Sequence, residues 1–496
     1  MLFYSVDQLQ YRGLLILIFV LGIGGSFQYG FHISVLNSPS QFVKTFINDT
    51  WIHRYRLPIA DSSLTLLWSF IVSSYCIGGL MGSLGSGYLS SRYGKKRSLL
   101  CSDLIPIAAA LLVGLSVTAK SFEMILISRF LYGVNAGLGL NIHSQYAGEI
   151  ADKKLRGFTN TSIAIFVTSG KLVGQILGLR EMLGIESQWP LLLAISGLWA
   201  LVQLVILPFF PESPPYLLME KKDKDGCIRA LKQLWGDRDH QNEFNEMLRE
   251  QATRKSVRSL SVLELLREPS LRWQMYMLLT LTTALQLCGI NAIYFYAAEV
   301  FRAAGFSDTT IPYLTVGVGV CESSSVILCS LVVDRFGRRL ALLTGYASMV
   351  LTLGLLILTI SLQDKYTWMP FCSIILIFLY SVSFGSGPGA TTMTINLEIF
   401  SQEARAAAMV IVGVINWLGL SVIGMVFPFL VATMKQYCFL VFLIITAICG
   451  VFLYFYLPET KGKSWLEISE DFNKYNTRSQ CSIKCHLEVY VISTKL

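Results

Sequence analysis

Charged side chains are scarce in this chain of 496 residues. Aspartate, glutamate, lysine and arginine make up 15% of the sequence, whereas hydrophobic residues make up 53%. Soluble globular domains carry about 25% charged residues, so the composition excludes an ordinary soluble domain. Apolar stretches of roughly 20 residues, long enough to cross the hydrocarbon core of a bilayer, recur along the sequence. The sequence therefore predicts a protein built into a lipid bilayer.

Residue sets that indicate an enzyme or a metal site are also missing. The eleven cysteines show no metal-ligand spacing, and most fall in apolar stretches, where a thiol acts as a small hydrophobic group. No intramembrane histidine–glutamate set, serine–histidine pair or aspartate pair has catalytic spacing. We therefore expect no enzyme, no cofactor and no metal. The net charge of +8 does not indicate nucleic-acid binding, because positive cytoplasmic loops that face anionic lipids account for it.

Twelve apolar stretches are predicted to be membrane-spanning helices, six in each half of the chain. They lie near residues 14–36, 64–89, 98–119, 124–146, 158–179, 188–210, 273–296, 311–333, 341–361, 369–393, 406–430 and 437–457. The predicted units are a first half (1–211), a cytoplasmic linker with short helices (212–272), a second half (273–458) and a tail (459–496). This pattern predicts an all-α integral membrane protein.

Three short charged motifs occur twice, in the same order, about half the chain length apart. The repeated pairs are 92–96 with 335–339, Glu149/Arg156 with Glu398/Arg405, and 211–213 with 458–460, at offsets of 243, 249 and 247. Such a duplicated unit in a membrane protein is typical of transporters. The repeat therefore favours a protein that moves a solute.

Lysine and arginine in the short connections predict the orientation, because positively charged loops stay in the cytoplasm. The repeated basic motifs all fall on one side. Asn48 begins an N-glycosylation sequon in the first loop of the other side. We therefore expect both termini in the cytoplasm, a glycan on Asn48, and a first apolar run that remains as a membrane span.

The repeated charges are predicted to close the cytoplasmic side by pairing across the two halves. Modest ion-pair energies at a wet surface suit a gate that must cycle. The predicted members are Arg92, Lys96, Glu149, Arg156, Arg335, Arg339, Glu398 and Arg405. The alternative is the positive-inside rule alone, which explains the basic residues but not the two glutamates at matching positions.

Over residues 10–475 the chain resembles the facilitative glucose transporters, which are sugar porters of the major facilitator superfamily. The shared motifs are 25–30 (GSFQYG), Arg129, 148–149 with 155–157, 211–214 (PESP), 286–291 (QLCGIN), 337–339 (GRR), 416–417 (NW) and 458–463 (PETKGK). Glucose carriers have serine at the position of Cys288, and with cysteine there the chain resembles the fructose and urate branch of the family. The segment 261–266 and Glu322 most resemble its urate-carrying members.

The resemblance implies the major facilitator fold and a central site between the halves that is exposed alternately to each side. It implies a hexose or urate as substrate and adds Arg129, Glu212 and Glu459 to the gate. The implied substrate contacts are Gln286, Asn291, Asn416, Trp417, Gln175 and His32. Buried amides can instead hold helices together, and this alternative stays open for them.

Several positions depart from the sugar-binding pattern of the family. They are Ala164, Leu285, Glu322, Met393, Leu420 and Pro215. His32 stands where proton-coupled relatives have aspartate, so a facilitator is the better interpretation. A protonated His32 would favour an anion such as urate, and a neutral one would only bond between helices. Fructose, glucose and urate remain open, as do the oligomeric state and a transporter-like sensor or transport-impaired paralogue.

Overall fold

The computed structural model describes residues 12–151, 156–236, 241, 244–245, 247–248, 260–363, 365–461, 463 and 467–474. Within these ranges only the backbone is described at residues 156–158, 160–161, 330–336 and 402. Every regular element of the described chain is a helix. This confirms the predicted all-α class.

The helices of the first half are labelled α1 to α10. Their bounds are α1 (Arg12–Gly24), α2 (Ser26–Ser34), α3 (Ser40–Tyr55), α4 (Asp61–Tyr93), α5 (Lys95–Ser102), α6 (Leu104–Leu115), α7 (Glu123–Ile150), α8 (Arg156–Leu177), α9 (Trp189–Ala194) and α10 (Ser196–Ile206). Three short helices follow between the halves. They are α11 (Pro214–Met219), α12 (Lys224–Trp235) and α13 (Val262–Arg267).

The helices of the second half are labelled α14 to α22. Their bounds are α14 (Arg272–Leu287), α15 (Ile290–Phe295), α16 (Ala297–Ala303), α17 (Ile311–Phe336), α18 (Arg338–Leu362), α19 (Met369–Ser386), α20 (Pro388–Glu398), α21 (Gln402–Met434) and α22 (Cys438–Tyr456). Residues 467–474 are also helical.

Ten helical stretches of the described chain are long and apolar enough to cross a membrane. The last of them, Glu403–Tyr456, contains both α21 and α22, joined by a short 3-10 turn. Helix α8 adds a shorter apolar stretch, Ser162–Leu177. The described residues therefore contain the twelve predicted spans, six in each half.

The repeat-related first and seventh spans are both interrupted at a glycine. Helix α1 gives way to α2 at Gly25, and α14 gives way to α15 at Gly289. The first span keeps its backbone hydrogen bonds there, because the Gly25 N–H donates to the Leu21 carbonyl over 3.0 Å and the Gly25 carbonyl accepts from the Tyr29 N–H over 3.3 Å. The residues of α2 and α15, which follow the two glycines, are all buried, so both interruptions lie in the interior of the bundle.

Close backbone contact holds α4 and α7 together within the first half. A Cβ atom at Gly133 would lie 1.9 Å from the carbonyl oxygen of Tyr75, so this crossing requires glycine. Two helix pairs then join the halves, because α4 packs against α21 and α8 packs against α17. The interior between these pairs contains residues from both halves.

The repeated segments 92–96 and 335–339 lie at one end of the helix bundle, called here the motif end. The other end, which carries α3 and α16, is called the opposite end. The short helices between the halves contact both halves at the motif end. The indole of Trp235 donates to the Ile150 carbonyl over 2.9 Å, and the Leu260 N–H donates to the Glu403 carbonyl over 3.1 Å.

Candidate substrate site and gates

Gly289 occupies the interruption of the seventh span with φ of 105°, a conformation that side chains disfavour. A Cβ atom there would also lie 2.8 Å from the ring of Phe442. Glycine is therefore required both by the backbone and by its neighbour. The interruption places the amides of Gln286 and Asn291 on its two sides.

Three amides of the predicted substrate site form one hydrogen-bonded cluster, called here the amide cluster (Gln286, Asn291 and Asn416). Asn291 Nδ2 donates to Gln286 Oε1 over 2.9 Å, and Gln286 Nε2 donates to Asn416 Oδ1 over 2.6 Å. Each amide has two N–H donors and a carbonyl acceptor, so these contacts leave bonding capacity for a polar ligand. Substrate contact by these residues stays a prediction, because the same bonds also hold α21 against the seventh span.

Trp417 lies where the halves meet. Its buried ring packs edge to face on Tyr29 and Tyr75, with centroids 5.3 and 5.7 Å away. A Cβ atom at Gly79 would lie 2.2 Å from the indole, so the ring fits against α4 only because residue 79 has no side chain. These aromatic rings bring the first half against the amide cluster.

A buried ion pair joins the halves beside the amide cluster. Lys171 Nζ on α8 lies 2.8 Å from Glu322 Oε1 on α17, and the two side chains are 7% and 3% exposed. Tyr294 on α15 donates its hydroxyl to the second Glu322 oxygen, and the Lys171 ammonium lies 4.2 Å from the centre of the Tyr294 ring. The sequence pattern singles out Glu322 but misses Lys171. A lysine inside an apolar span was the signal that could have found it.

Gln175 lies one helical turn from Lys171 on α8, in contact with α17. Its side chain is buried, and neither amide atom has a hydrogen-bond partner among the described residues. The amide oxygen lies 2.0 Å from the position that a Cβ atom of Gly319 would take. A buried amide without a partner costs about 1 to 3 kcal/mol. Its position suits the predicted ligand role, which these contacts do not test.

The structure does not bring Arg129 together with the other predicted gate residues. Arg129 lies in the second turn of α7, whereas Glu149 lies in its last turn, so about 30 Å of helix separates them. The register of α7 therefore places Arg129 toward the opposite end. Both terminal nitrogens of its buried guanidinium donate to the His32 carbonyl over 3.2 Å.

His32 is enclosed by aromatic and basic groups of the first half. Its imidazole stacks on Tyr132 with centroids 4.1 Å apart, and Arg129 lies 3.4 Å from its Nδ1 atom. A guanidinium can only donate, so a hydrogen bond at this contact would use Nδ1 as the acceptor. The geometry favours the neutral histidine between helices over a cationic one. Substrate contact by His32 stays a prediction.

The two halves repeat one capping arrangement at the motif end. Glu212 accepts hydrogen bonds of 3.1 Å from the backbone N–H groups of the first two residues of α5. Glu459 accepts bonds of the same length from the first two residues of α18. Gly94 and Gly337 precede these helices with φ of 91° and 96°, and a Cβ atom at either would lie within 2.7 Å of the carboxylate. The glycine of the repeated motif therefore makes room for the cap.

The ion pairs of the motifs use the first basic residue after that glycine. Lys95 Nζ lies 2.9 Å from Glu149, and Arg338 lies 3.2 Å from Glu398. Neither Lys95 nor Arg338 is among the predicted gate residues, although their matching places in the repeat were a signal for both. Each pair joins two residues of the same half.

The predicted gate residues Lys96 and Arg339 bind backbone carbonyls instead. Lys96 Nζ donates to Pro208 and Phe210 over 2.8 and 2.7 Å, and Arg339 donates to Tyr454 over 2.7 Å. Each thus ties the third span of its half to the last one. The motif works as a brace within a half in this conformation.

The other predicted gate residues are not brought together. Arg92 is exposed beside Tyr88, and Arg405 donates to the Phe400 carbonyl over 3.3 Å. The side chains of Arg156 and Arg335 lie outside the described residues. Between described side chains at the motif end, every ion pair joins residues of one half. Pairing across the halves stays a prediction for a conformation closed at this end.

Polar contacts between the halves are formed at the opposite end. Lys44 Nζ lies 3.2 Å from Glu299. Asn37 accepts from the Ala297 N–H over 3.1 Å and donates to the Tyr294 carbonyl. These bonds join α3 and the end of α2 to α15 and α16. The two halves are therefore joined by polar contacts at the opposite end.

The model of the sugar (and other) transporter family matches residues 17–472. The chain belongs to this family. It is 42% identical over 461 residues to mouse solute carrier family 2, facilitated glucose transporter member 9, with 93% of this chain and 86% of the relative covered. It is 40% identical over 457 residues to member 5 from horse, with 92% of this chain and 91% of the relative covered. The prediction of a transmembrane transporter of the sugar porter family is confirmed.

Solved structures confirm the major facilitator fold of this transporter. The partially occluded inward open conformation of the xylose transporter XylE from E. coli superimposes with a TM-score of 0.74 at 20% identity, covering 91% of this chain and all of that one. The proton:xylose symporter XylE bound to 6-bromo-6-deoxy-D-glucose gives 0.73 at 21% identity, with 94% and 99% covered. These likenesses show the fold.

The departures from the sugar-binding pattern occupy different environments in this transporter. Leu420 is fully buried, whereas Met393 is about half exposed. Pro215 lies in the first turn of α11, where proline suits a helix. Leu285 and Ala164 are partly buried. Asn48 lies on α3, and its side-chain oxygen accepts from the Ile59 N–H over 3.3 Å, so glycosylation of Asn48 stays a prediction.

Proposed function

We propose that this chain is a facilitative uniporter that moves a hexose (fructose or glucose), urate, or both across the plasma membrane by alternating access. The amide cluster at the interruption of the seventh span carries the proposal. Amides there supply the donors and acceptors that hydroxyl or purine groups need in a dry site, where each unpaired polar group costs about 1 to 3 kcal/mol. Relatives named facilitated glucose transporters support the same substrate class.

The two ends of the bundle alternate as gates. In the described conformation the contacts of Lys44 and Asn37 close the opposite end, so substrate leaves the central site toward the motif end. The reverse conformation separates these contacts and brings Glu149 and Arg405 toward each other across the halves. Modest ion pairs at both wet ends allow the carrier to cycle.

The motif end faces the cytoplasm in this proposal. Basic residues cluster there, which the positive-inside rule explains. Both termini then lie in the cytoplasm, and Asn48 lies on the outer side, where a glycan is added. The moving units are residues 1–211 and 273–458, which the linker 212–272 joins, followed by the tail 459–496. No enzyme activity is part of the proposal.

Transport is expected to be downhill and independent of a proton gradient. Coupling to protons needs a carboxylate that loads and releases a proton inside the membrane. His32 stands at the position in the first span where such a group acts in proton-coupled relatives, and the buried carboxylate of Glu322 is held by Lys171 and Tyr294. Uptake of labelled fructose, glucose and urate into proteoliposomes, with and without an imposed pH gradient, tests this. Accumulation above the external concentration that a protonophore abolishes would refute uniport.

The amide cluster is tested by Gln286→Ala and Asn291→Ala. Each change removes a substrate donor and acceptor, so binding should weaken by roughly 1 to 3 kcal/mol, or about fivefold to 150-fold in affinity. Asn396 provides a matched control, because its buried amide donates to Thr282 between helices over 3.3 Å, one turn of α14 before Gln286. Asn396→Ala should lower stability and leave affinity unchanged. Wild-type affinity in both cluster variants would show that these amides only hold helices together.

A second candidate function is a sensor or impaired carrier that binds without transporting. The observation that favours it is the buried pair of Lys171 and Glu322, which ties the halves together at the centre. Saturable binding of a solute in detergent without uptake into vesicles would support it. Uptake of the same solute would exclude it.

A further inference from the structure

Two opposite charges face each other inside the membrane, between the halves and next to the amide cluster. Lys171 and Glu322 are nearly fully buried and lie within 2.8 Å of each other. Burying an ion pair costs several kcal/mol of hydration per ion. Two apolar side chains at these places would join the helices without that cost. A role that depends on charge is therefore a better explanation than stability.

The pair lies within reach of the substrate site. Tyr294, which bonds Glu322, belongs to the same short helix as Asn291 of the amide cluster. Asn291 and Tyr294 are three residues apart on that helix, so the carboxylate lies about one helical turn from the cluster.

The amide of Gln175 points to a ligand at the same place. It is buried one turn from Lys171, and both its polar atoms are without a partner among the residues that the structure describes. A ligand that reached the ion pair would also meet this donor and acceptor. The lysine, the glutamate and the glutamine together form a polar wall where α8 packs on α17.

We propose that Lys171 and Glu322 set the charge preference of the central site. While paired, their charges cancel, so the site accepts an uncharged polyhydroxylated ligand in preference to an anion. Either charge left alone would act over a few ångströms in a medium of low dielectric constant, where charge interactions are much stronger than in water. Lys171 alone would favour an anion, and Glu322 alone would exclude it.

Arg129 is a third buried charge, and it is the same in the wild type and in every variant of the pair. Its guanidinium donates to the His32 carbonyl and lies 4.6 Å from the centre of the Tyr75 ring. It is enclosed within the first half and is not paired with Glu322. The proposal therefore concerns the change in preference when one member of the pair is replaced.

The test compares two solutes of different charge in the full-length protein. Fructose is uncharged, and urate is a monoanion near neutral pH. Glu322→Gln should raise the ratio of urate to fructose uptake at least about tenfold, equivalent to about 1.4 kcal/mol, because it leaves the ammonium uncompensated. Lys171→Met should lower the ratio. The double variant has neither charge and should return to within about twofold of wild type.

The ion pair of Lys44 and Glu299 provides the matched control. It also joins the halves, but at the opposite end and with about a fifth of each side chain exposed. Glu299→Gln should change the rate for both solutes alike and leave the ratio unchanged. A Glu322→Gln variant that changes both solutes alike, as Glu299→Gln does, would overturn the proposal and leave only a contact between halves.

The proposal rests on the proposed function, but the two fail differently. If the wild type moves neither solute, facilitated transport of these solutes fails, and the same ratio measured as equilibrium binding in detergent still tests the charge preference. If the wild type moves them and folded single variants keep the wild-type ratio, the charge preference alone is wrong. Glu322→Asn provides a second, smaller replacement if Glu322→Gln does not fold.

Discussion

The substitution Glu459→Ala is expected to destabilise the second half without shifting the equilibrium between inward and outward conformations. Glu459 accepts from the first two N–H groups of α18 and from the N–H groups of Thr460 and Lys461, all at 3.0 to 3.1 Å. All these groups belong to the second half or to the first residues of the tail that follows it. Removing the carboxylate therefore affects that half in either conformation of the carrier.

The size of the effect follows from the two bonds to α18. Loss of an N-terminal cap costs about 0.5 to 2 kcal/mol, and loss of a negative charge at a helix N-terminus costs about 0.3 to 1 kcal/mol more. Glu459 is partly exposed, so in the variant water forms some of the lost hydrogen bonds and reduces the loss of stability. A loss of about 1 to 2.5 kcal/mol in a unit of this size corresponds to a fall in Tm of roughly 2 to 10 °C.

Thermal unfolding of purified protein in detergent, followed by tryptophan fluorescence, measures this fall. Glu212→Ala should give a similar fall, because Glu212 caps α5 in the same way. Glu459→Gln keeps the shape without the charge and should lie between wild type and Glu459→Ala. Unchanged Tm together with a changed accessibility of thiols at either end would refute the capping role and restore Glu459 to a gate across the halves.

Two further predictions concern the gates. Glu149→Ala or Arg405→Ala should bias the carrier between its two conformations without abolishing substrate binding, which thiol accessibility at each end measures; an unchanged pattern with normal transport would leave only the positive-inside explanation. At the opposite end, a hydrogen bond from Tyr313 holds the pKa of Glu181 below its ordinary value. The contact between Glu181 and Tyr313 therefore contributes fully to closure above the ordinary glutamate pKa of about 4.3. This contribution is lost as the pH falls through the lowered pKa of Glu181. Thiol accessibility against pH should show no change between neutral pH and about pH 5, and a change that disappears in Glu181→Gln would contradict this.

The sequence alone predicted the spans and their duplication. Span length is a local property, because a bilayer core of about 30 Å selects roughly 20 apolar residues wherever they occur. The repeated motifs show the duplication without any knowledge of contacts. Gly289 is likewise visible in the sequence, and a glycine between two amides inside a span can loosen the helix locally. These features depend on neighbours along the chain.

Only the tertiary structure decided which charged side chains pair with each other. The motifs identify Lys96 and Arg339 as readily as Lys95 and Arg338, and the orientation of each helix start selects the latter for the ion pairs. Arg129 shares a helix with Glu149, but about 30 Å of that helix places it at the other end. The pair of Lys171 and Glu322 joins residues from different halves, and its 2.8 Å contact exists only because α8 packs on α17. The sequence determines which segments can span the membrane, and the packing of helices determines which buried charges neutralise each other.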